Sequence, residues 1–107
     1  MKFAAVTIFP EMFEAITRFG ISRRAFDNGV ATLSTVNPRD FATNQYKTID
    51  DRPFGGGPGM VMMPEPLEKA IDAACAAVGG GAQGDVGRKV VYLSPQGHPL
   101  TDAMLRQ

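Results

Sequence analysis

Lys2 to Gly20 reads KFAAVTIFPEMFEAITRFG, and the fold class turns on this stretch. Lys2 to Phe9 is a short apolar run rich in β-formers, which predicts a buried strand. Pro10 then forces a turn or opens a helix, because its fixed φ suits a first helical turn. From Glu11 onward, Met12, Phe13, Ile16 and Phe19 fall on one helical face, and Gly20 is placed to end it. Working outward, Ser22 is positioned to cap a second helix over Arg23 to Asn28, closed by Gly29. Val30 to Val36 alternates as a strand does, and Asn37-Pro38 stops it. Pro64 to Val78 gives the clearest helix, with Pro64 and Pro66 at its start and Leu67, Ala70, Ile71, Ala74 and Val78 in one stripe. Gly79 to Gly87 (GGGAQGDVG) reads as a flexible linker. Lys89 to Leu93 (KVVYL) predicts another buried strand, Ser94 to Pro99 a turn, and Thr101 the N-cap of a helix over Asp102 to Gln107. This alternation is α/β: an open, mostly parallel sheet with flanking helices.

Three strands are few for such a sheet, and the last helix has barely begun at Gln107, so the expectation is the N-terminal portion of a longer protein. No internal repeat and no second domain is evident. The 107 residues are 44% hydrophobic and 21% charged, which excludes a disordered tail, a collagen-like fibre and a coiled coil. Apolar stretches are too short to span a membrane, and no apolar signal core follows a cationic start, so a cytoplasmic protein is expected. Cys75, the single cysteine, allows neither an internal disulfide nor a CxxC metal site. Eleven Lys+Arg balance eleven Asp+Glu. A self-sufficient nucleic-acid binder carries a basic excess, so any such role here rests on a local patch.

Residues 37 to 63 lack periodicity and hold most of the unusual chemistry, as long functional loops do. Asp50 to Met63 reads DDRPFGGGPGMVMM. Gly55, Gly56, Gly57 and Gly59 remove side chains, so a ligand can approach the backbone, and N–H groups in such a bend can form an anion-binding concavity. Asp50, Asp51 and Arg52 add acceptors and a planar guanidinium suited to phosphate or guanine edges. A floppy linker is the plainer account, but linkers rarely run into an apolar MVMM. No Lys-Ser/Thr follows the glycines, which excludes a Walker A loop. A literal G-x-G-x-x-G at Gly79, Gly81 and Gly84 has a helix before it and a strand after it, the reverse of a dinucleotide fingerprint.

The turn YLSPQG, Tyr92 to Gly97, follows a predicted strand at its carboxyl end, where open α/β sheets bind ligands. It can equally be an ordinary strand-to-helix loop. His98 has no partner at diagnostic spacing and reads as a surface histidine, and Cys75 reads as small core filler. Arg23 and Arg24 read as a solvated helix face, and Met60, Met62 and Met63 as core or subunit-contact residues. No Ser/His/Asp, Cys/His or metal constellation can be assembled.

In order along the chain, FPEMFEA, GISRRAFDNG, NPRDFATN, DDRPFGGGPGMVM, EPLEKAI and YLSPQG resemble the bacterial tRNA (guanine-N1)-methyltransferases of the knotted SPOUT class. The resemblance implies methylation of N1 of the guanosine 3′ of the anticodon (tRNA position 37), with S-adenosylmethionine as donor. It also implies an α/β sheet tied into a trefoil knot, a homodimer sharing its active sites, and magnesium supporting the reaction. On this resemblance Tyr92, Leu93, Ser94, Pro95, Gln96 and Gly97 match the first donor-binding loop. Asp50, Arg52, Gly55, Gly56, Gly57, Pro58 and Gly59 match the segment near the target guanine. The family's general base and its guanine-carbonyl arginine match nothing up to Gln107, nor do the later knot loops and the C-terminal tRNA-binding domain. The chain alone is therefore expected to be catalytically inert. Two rivals stand beside this reading. A non-catalytic module holding RNA or an adenosyl ligand predicts steep salt dependence of tRNA binding. A phosphate-binding enzyme predicts loop protection by a nucleoside triphosphate and indifference to S-adenosylmethionine.

Overall fold

Strand β1, Lys2–Val6, pairs in parallel with β2, Thr32–Val36, in the computed structural model, which describes residues 1–79 and 88–107. The register runs from Lys2 opposite Thr32 to Val6 opposite Val36. Main-chain bonds extend the pair beyond both ends: Thr32 N–H donates to Met1 O at 3.0 Å and Thr7 N–H to Val36 O at 2.9 Å. The N-terminal amino group closes the edge on Val30 O at 2.9 Å.

The crossover between these strands departs from the single helix expected over Glu11 to Phe19. Pro10–Phe13 forms a 3-10 turn and only Glu14–Thr17 is α-helical (α1). Two local bonds explain the break. Met12 N–H closes a tight turn on Phe9 O at 3.1 Å, and the Thr17 hydroxyl donates back to Phe13 O at 3.3 Å. Met12, Ile16 and Phe19 are exposed, while Phe13 is half-buried. Helix α2, Ser22–Asp27, follows, and Ser22 is not its N-cap. Its hydroxyl instead donates to Ile16 O at 2.7 Å and Phe19 O at 3.3 Å, satisfying carbonyls left open at the end of α1. Gly29, at φ +72°, ends α2 in the left-handed region, as its place in the sequence predicts.

Asn37 and Pro38 terminate β2 as expected. The Asn37 side chain accepts from Arg39 N–H at 3.0 Å and opens a 3-10 turn, Pro38–Phe41, whose Pro38 is fully buried. Helix α3, Pro64–Ala77, packs on both strands and on this turn. Its Pro66, Ala70 and Ala74 are buried, and Leu67, Ile71 and Val78 are half-buried, so the expected stripe is the packed face. The short side chains let the helix approach closely, and the core is correspondingly thin: Ile49 joins Ala70 and Ala74 as its buried apolar residues. Cys75 sits half-buried on the same helix.

The expected strand over Lys89 to Leu93 is absent. Val90, Val91, Tyr92 and Leu93 are extended but 70–88% exposed, with no ladder bond to any described residue. A β-branched run becomes a strand only where a neighbouring strand accepts it, and no strand among the described residues pairs with it. Helix α4, Asp102–Leu105, is a single turn, and the Thr101 hydroxyl caps it by accepting from Met104 N–H at 3.3 Å. The linker reading of Gly79 to Gly87, including Gly81 and Gly84, falls on residues outside those described, apart from Gly79.

Candidate functional site

The glycine-rich segment is the tip of a hairpin. Strands β3, Asp50–Asp51, and β4, Val61–Met62, pair antiparallel, with Asp50 opposite Met62 and Asp51 opposite Val61. Buried Ile49 anchors the foot, and its carbonyl accepts from Met63 N–H at 2.6 Å. The span between the strands projects away from the core, with Phe54, Gly55, Gly56, Gly57, Pro58 and Gly59 all exposed. Pro53 O accepts from Gly56 N–H at 3.1 Å, and Gly55 lies at φ +81°, the value a type II turn needs at its third position. A Cβ built on any of the four loop glycines meets nothing within 4 Å. Crowding within the chain therefore does not demand them.

The three charged residues before the loop separate into two roles. Asp51 turns its carboxylate onto the main chain and accepts from Arg52 N–H at 2.7 Å. The Asp50 carboxylate and the Arg52 guanidinium are exposed and take no partner among the described residues. Strand β3 ends at Asp51; Pro53 disfavours a helical backbone at Arg52, and continued alternation would set positions 50 and 52 on one face. A free carboxylate and a free guanidinium thus flank a residue whose own charge is engaged locally.

A brace that the sequence reading missed supports the hairpin from below. Lys47 stands at φ +50°, and the Arg39 guanidinium donates to its carbonyl at 3.1 Å. The Asn44 side chain accepts from Thr48 N–H at 2.8 Å and closes the same loop. Asn44 is the available sequence signal, since Asn readily caps its own turn.

The second predicted loop forms the expected tight bend. Gly97 N–H donates to Ser94 O at 2.9 Å, and Ser94 Oγ accepts from Gln96 N–H at 3.2 Å. Ser, Pro and Gly stand at the first, second and fourth positions, as a type I turn prefers. A Cβ at Gly97 would lie 3.1 Å from Ser94 O, so any other residue there needs that carbonyl to give by a few tenths of an ångström. Tyr92 and Leu93 are 85% and 88% exposed.

No hydrogen bond among the described residues joins the two loops. The two best-defined hollows lie elsewhere, one between the crossover and β2 at Glu11, Phe13 and Leu33, the other at Arg18, Arg23 and Asp27. Met60 and Met62 are 56% and 45% exposed rather than core, because the short β4 leaves them on the hairpin surface, and Met63 is half-buried. His98 is exposed, Arg23 pairs with Asp27 at 3.1 Å, and Arg24 stands on the same solvated helix.

The family model described as tRNA (Guanine-1)-methyltransferase TrmD matches residues 1–107. The chain belongs to this family. It is 59% identical over 98 residues to a tRNA (guanine-N(1)-)-methyltransferase of Alcanivorax borkumensis, covering 92% of the chain and 34% of that protein. It is 55% identical over 107 residues to one from a Janthinobacterium species, covering 100% and 42%. The crystal structure of tRNA (m1G37) methyltransferase from Aquifex aeolicus superposes with TM-score 0.62 at 33% identity, covering 71% of this chain and 34% of that one. The chain thus spans about a third to two-fifths of these TrmD-family relatives. The parallel pair with flanking helices is the α/β sheet expected from the sequence.

Proposed function

We propose that this chain supplies the N-terminal part of a SPOUT methyltransferase domain that transfers a methyl group from S-adenosylmethionine to N1 of the guanosine 3′ of a tRNA anticodon. Family membership supports the reaction class. The hairpin carries the residue assignment, because the Asp50 carboxylate and the Arg52 guanidinium are both exposed and without a partner among the described residues. A guanine Watson–Crick edge offers two N–H donors beside a carbonyl acceptor. A carboxylate accepts from the donors and a guanidinium donates to O6 or N7. Gly55 to Gly59 let the base approach the main chain without meeting a side chain.

Tyr92 to Gly97 fit part of a donor site. The main chain of Tyr92 and Leu93 makes no ladder bond to any described residue, so its N–H and C=O groups can read an adenine edge, and a Cβ at the close of the Ser94–Gly97 turn would lie 3.1 Å from Ser94 O. When bound, S-adenosylmethionine supplies the methyl group as a sulfonium. The chain's own residues hold and orient the partners, which is where much of the rate of an in-line displacement arises. Homodimer formation, tRNA as partner, a cytoplasmic setting and magnesium as a supporting ion belong to the same proposal. Among the described residues no three His, Cys, Asp or Glu side chains converge to hold a metal, and no helix is long and apolar enough to cross a membrane.

The test is binding of two labelled anticodon stem–loops, one with guanosine 3′ of the anticodon and one with adenosine there. Preference for guanosine of about 5-fold or more, abolished in Asp50→Asn, supports the assignment. Equal affinity of the wild-type chain for both overturns it.

A further inference from the structure

Resting on that reading, we propose that Phe54 is the platform on which an unpaired anticodon-loop nucleobase stacks. At 106% it is the most exposed large apolar side chain described. Its position is built by the turn, with Pro53 O and Gly56 N–H bonded at 3.1 Å around Phe54 and a left-handed Gly55. The glycines that follow carry no side chain to cover the ring, and each faces open space. A planar group can therefore reach the ring without displacing any protein atom. Two residues upstream, the Arg52 guanidinium is exposed and has no partner among the described residues. A bare aromatic face beside a free cation is how single-stranded RNA is held: the ring takes the base, and the cation takes a phosphate or a base edge. A ring kept solely for chain packing would be covered, whereas Phe54 is fully exposed.

The 107 residues contain no tryptophan, so Phe54→Trp installs a single indole, excited selectively over the two tyrosines, at the tip. The wild type is first titrated with the guanosine stem–loop by anisotropy. Phe54→Ala and Phe54→Leu are then compared with it, and Phe54→Trp is followed by its emission. Stacking predicts that Phe54→Ala weakens binding about 5- to 150-fold. Leu restores little of the loss despite its apolar bulk, and the indole of Phe54→Trp is quenched as RNA saturates. The Phe54→Ala penalty must also vanish against a stem–loop made abasic at the stacked nucleotide. RNA binding by the wild type that Phe54→Ala leaves unchanged overturns the platform while sparing the proposed function. So does full rescue by Leu, or a shift in oligomeric state with Phe54→Ala, which would assign the ring to contact between copies of the chain. Absence of any RNA binding by the wild type removes both together. A fully exposed side chain does not hold the fold, so matching circular dichroism of the variants with wild type is expected throughout.

Discussion

Ile49→Ala tests whether the hairpin that carries the candidate site is fastened to the fold by one side chain. Ile49 is 6% exposed, and its buried apolar companions are the alanines at 70 and 74. The substitution removes three carbon groups at about 0.8 kcal/mol each, so the transfer loss alone is about 2.4 kcal/mol. Incomplete closure of the vacated space brings the expected cost to roughly 2–4 kcal/mol. Small domains have only about 5–15 kcal/mol in total, and a core this thin belongs at the lower end. At roughly 4–8 °C per kcal/mol, the melting midpoint should fall by about 8–32 °C. The assay is thermal and urea unfolding followed by far-UV circular dichroism, with Ile49→Val as a graded control costing about 0.5–1.5 kcal/mol. Hydrogen exchange at the Met63 amide, which bonds to Ile49 O at 2.6 Å, should quicken in the same order. An Ile49→Ala chain within about 0.5 kcal/mol of wild type, the range of ordinary surface substitutions, would show that the hairpin is held by something other than this side chain.

Gly97→Ala presses a methyl group against Ser94 O, 3.1 Å away, so the turn should open and forfeit its closing bond at a net cost of about 1 kcal/mol. The amide temperature coefficient at position 97 reports this, and an unchanged coefficient would contradict the steric account. Lys69 donates a hydrogen bond to Glu65 at 2.9 Å and adds its charge, which together hold the Glu65 carboxyl below the ordinary carboxylate range. Because the folded-state pKa is lowered, the stabilisation is fully present above the unfolded value and is lost as pH falls through the folded one. A side-chain NMR titration should show the Glu65 midpoint rising toward the usual value in Lys69→Met, and a midpoint indifferent to that change would exclude the pairing.

Much of the frame was legible because the residues that interrupt the chain are unambiguous. Gly29 ends α2, Asn37-Pro38 ends β2, and Pro64 opens a helix whose apolar spacing is regular over 14 residues. The failures share a cause: the deciding contact is not local. KVVYL has every strand propensity, yet a strand is a relation to a neighbour, and none of the described strands pairs with it. The crossover helix was split by Met12–Phe9 and Thr17–Phe13 bonds that compete with the regular ladder, which side-chain periodicity cannot register. Both loops of the candidate site were visible as clusters of Gly and Pro. Their two kinds of glycine were not distinguishable, since Gly97 answers to a nearby carbonyl and Gly55 to a backbone angle. Likewise nothing in the string DDR says that one aspartate is consumed by the main chain and the other left free.

That division bears on the balanced charge. Four cations, Arg18, Arg23, Lys69 and Arg106, pair with acids one helical turn away on the surface, at 2.9–3.4 Å. Such pairs add little stability, but they cancel charge where it would otherwise repel or attract a polyanion without discrimination. The opposite arrangement holds at the hairpin, where Asp51 accepts from Arg52 N–H and the Asp50 carboxylate and Arg52 side chain have no partner among the described residues. Gripping phosphates calls for one sign of charge, whereas reading the edge of a guanine calls for both, one accepting and one donating. On the proposed function, an exposed carboxylate and an exposed guanidinium two residues apart, both without a partner among the described residues, would suit the choice of a base.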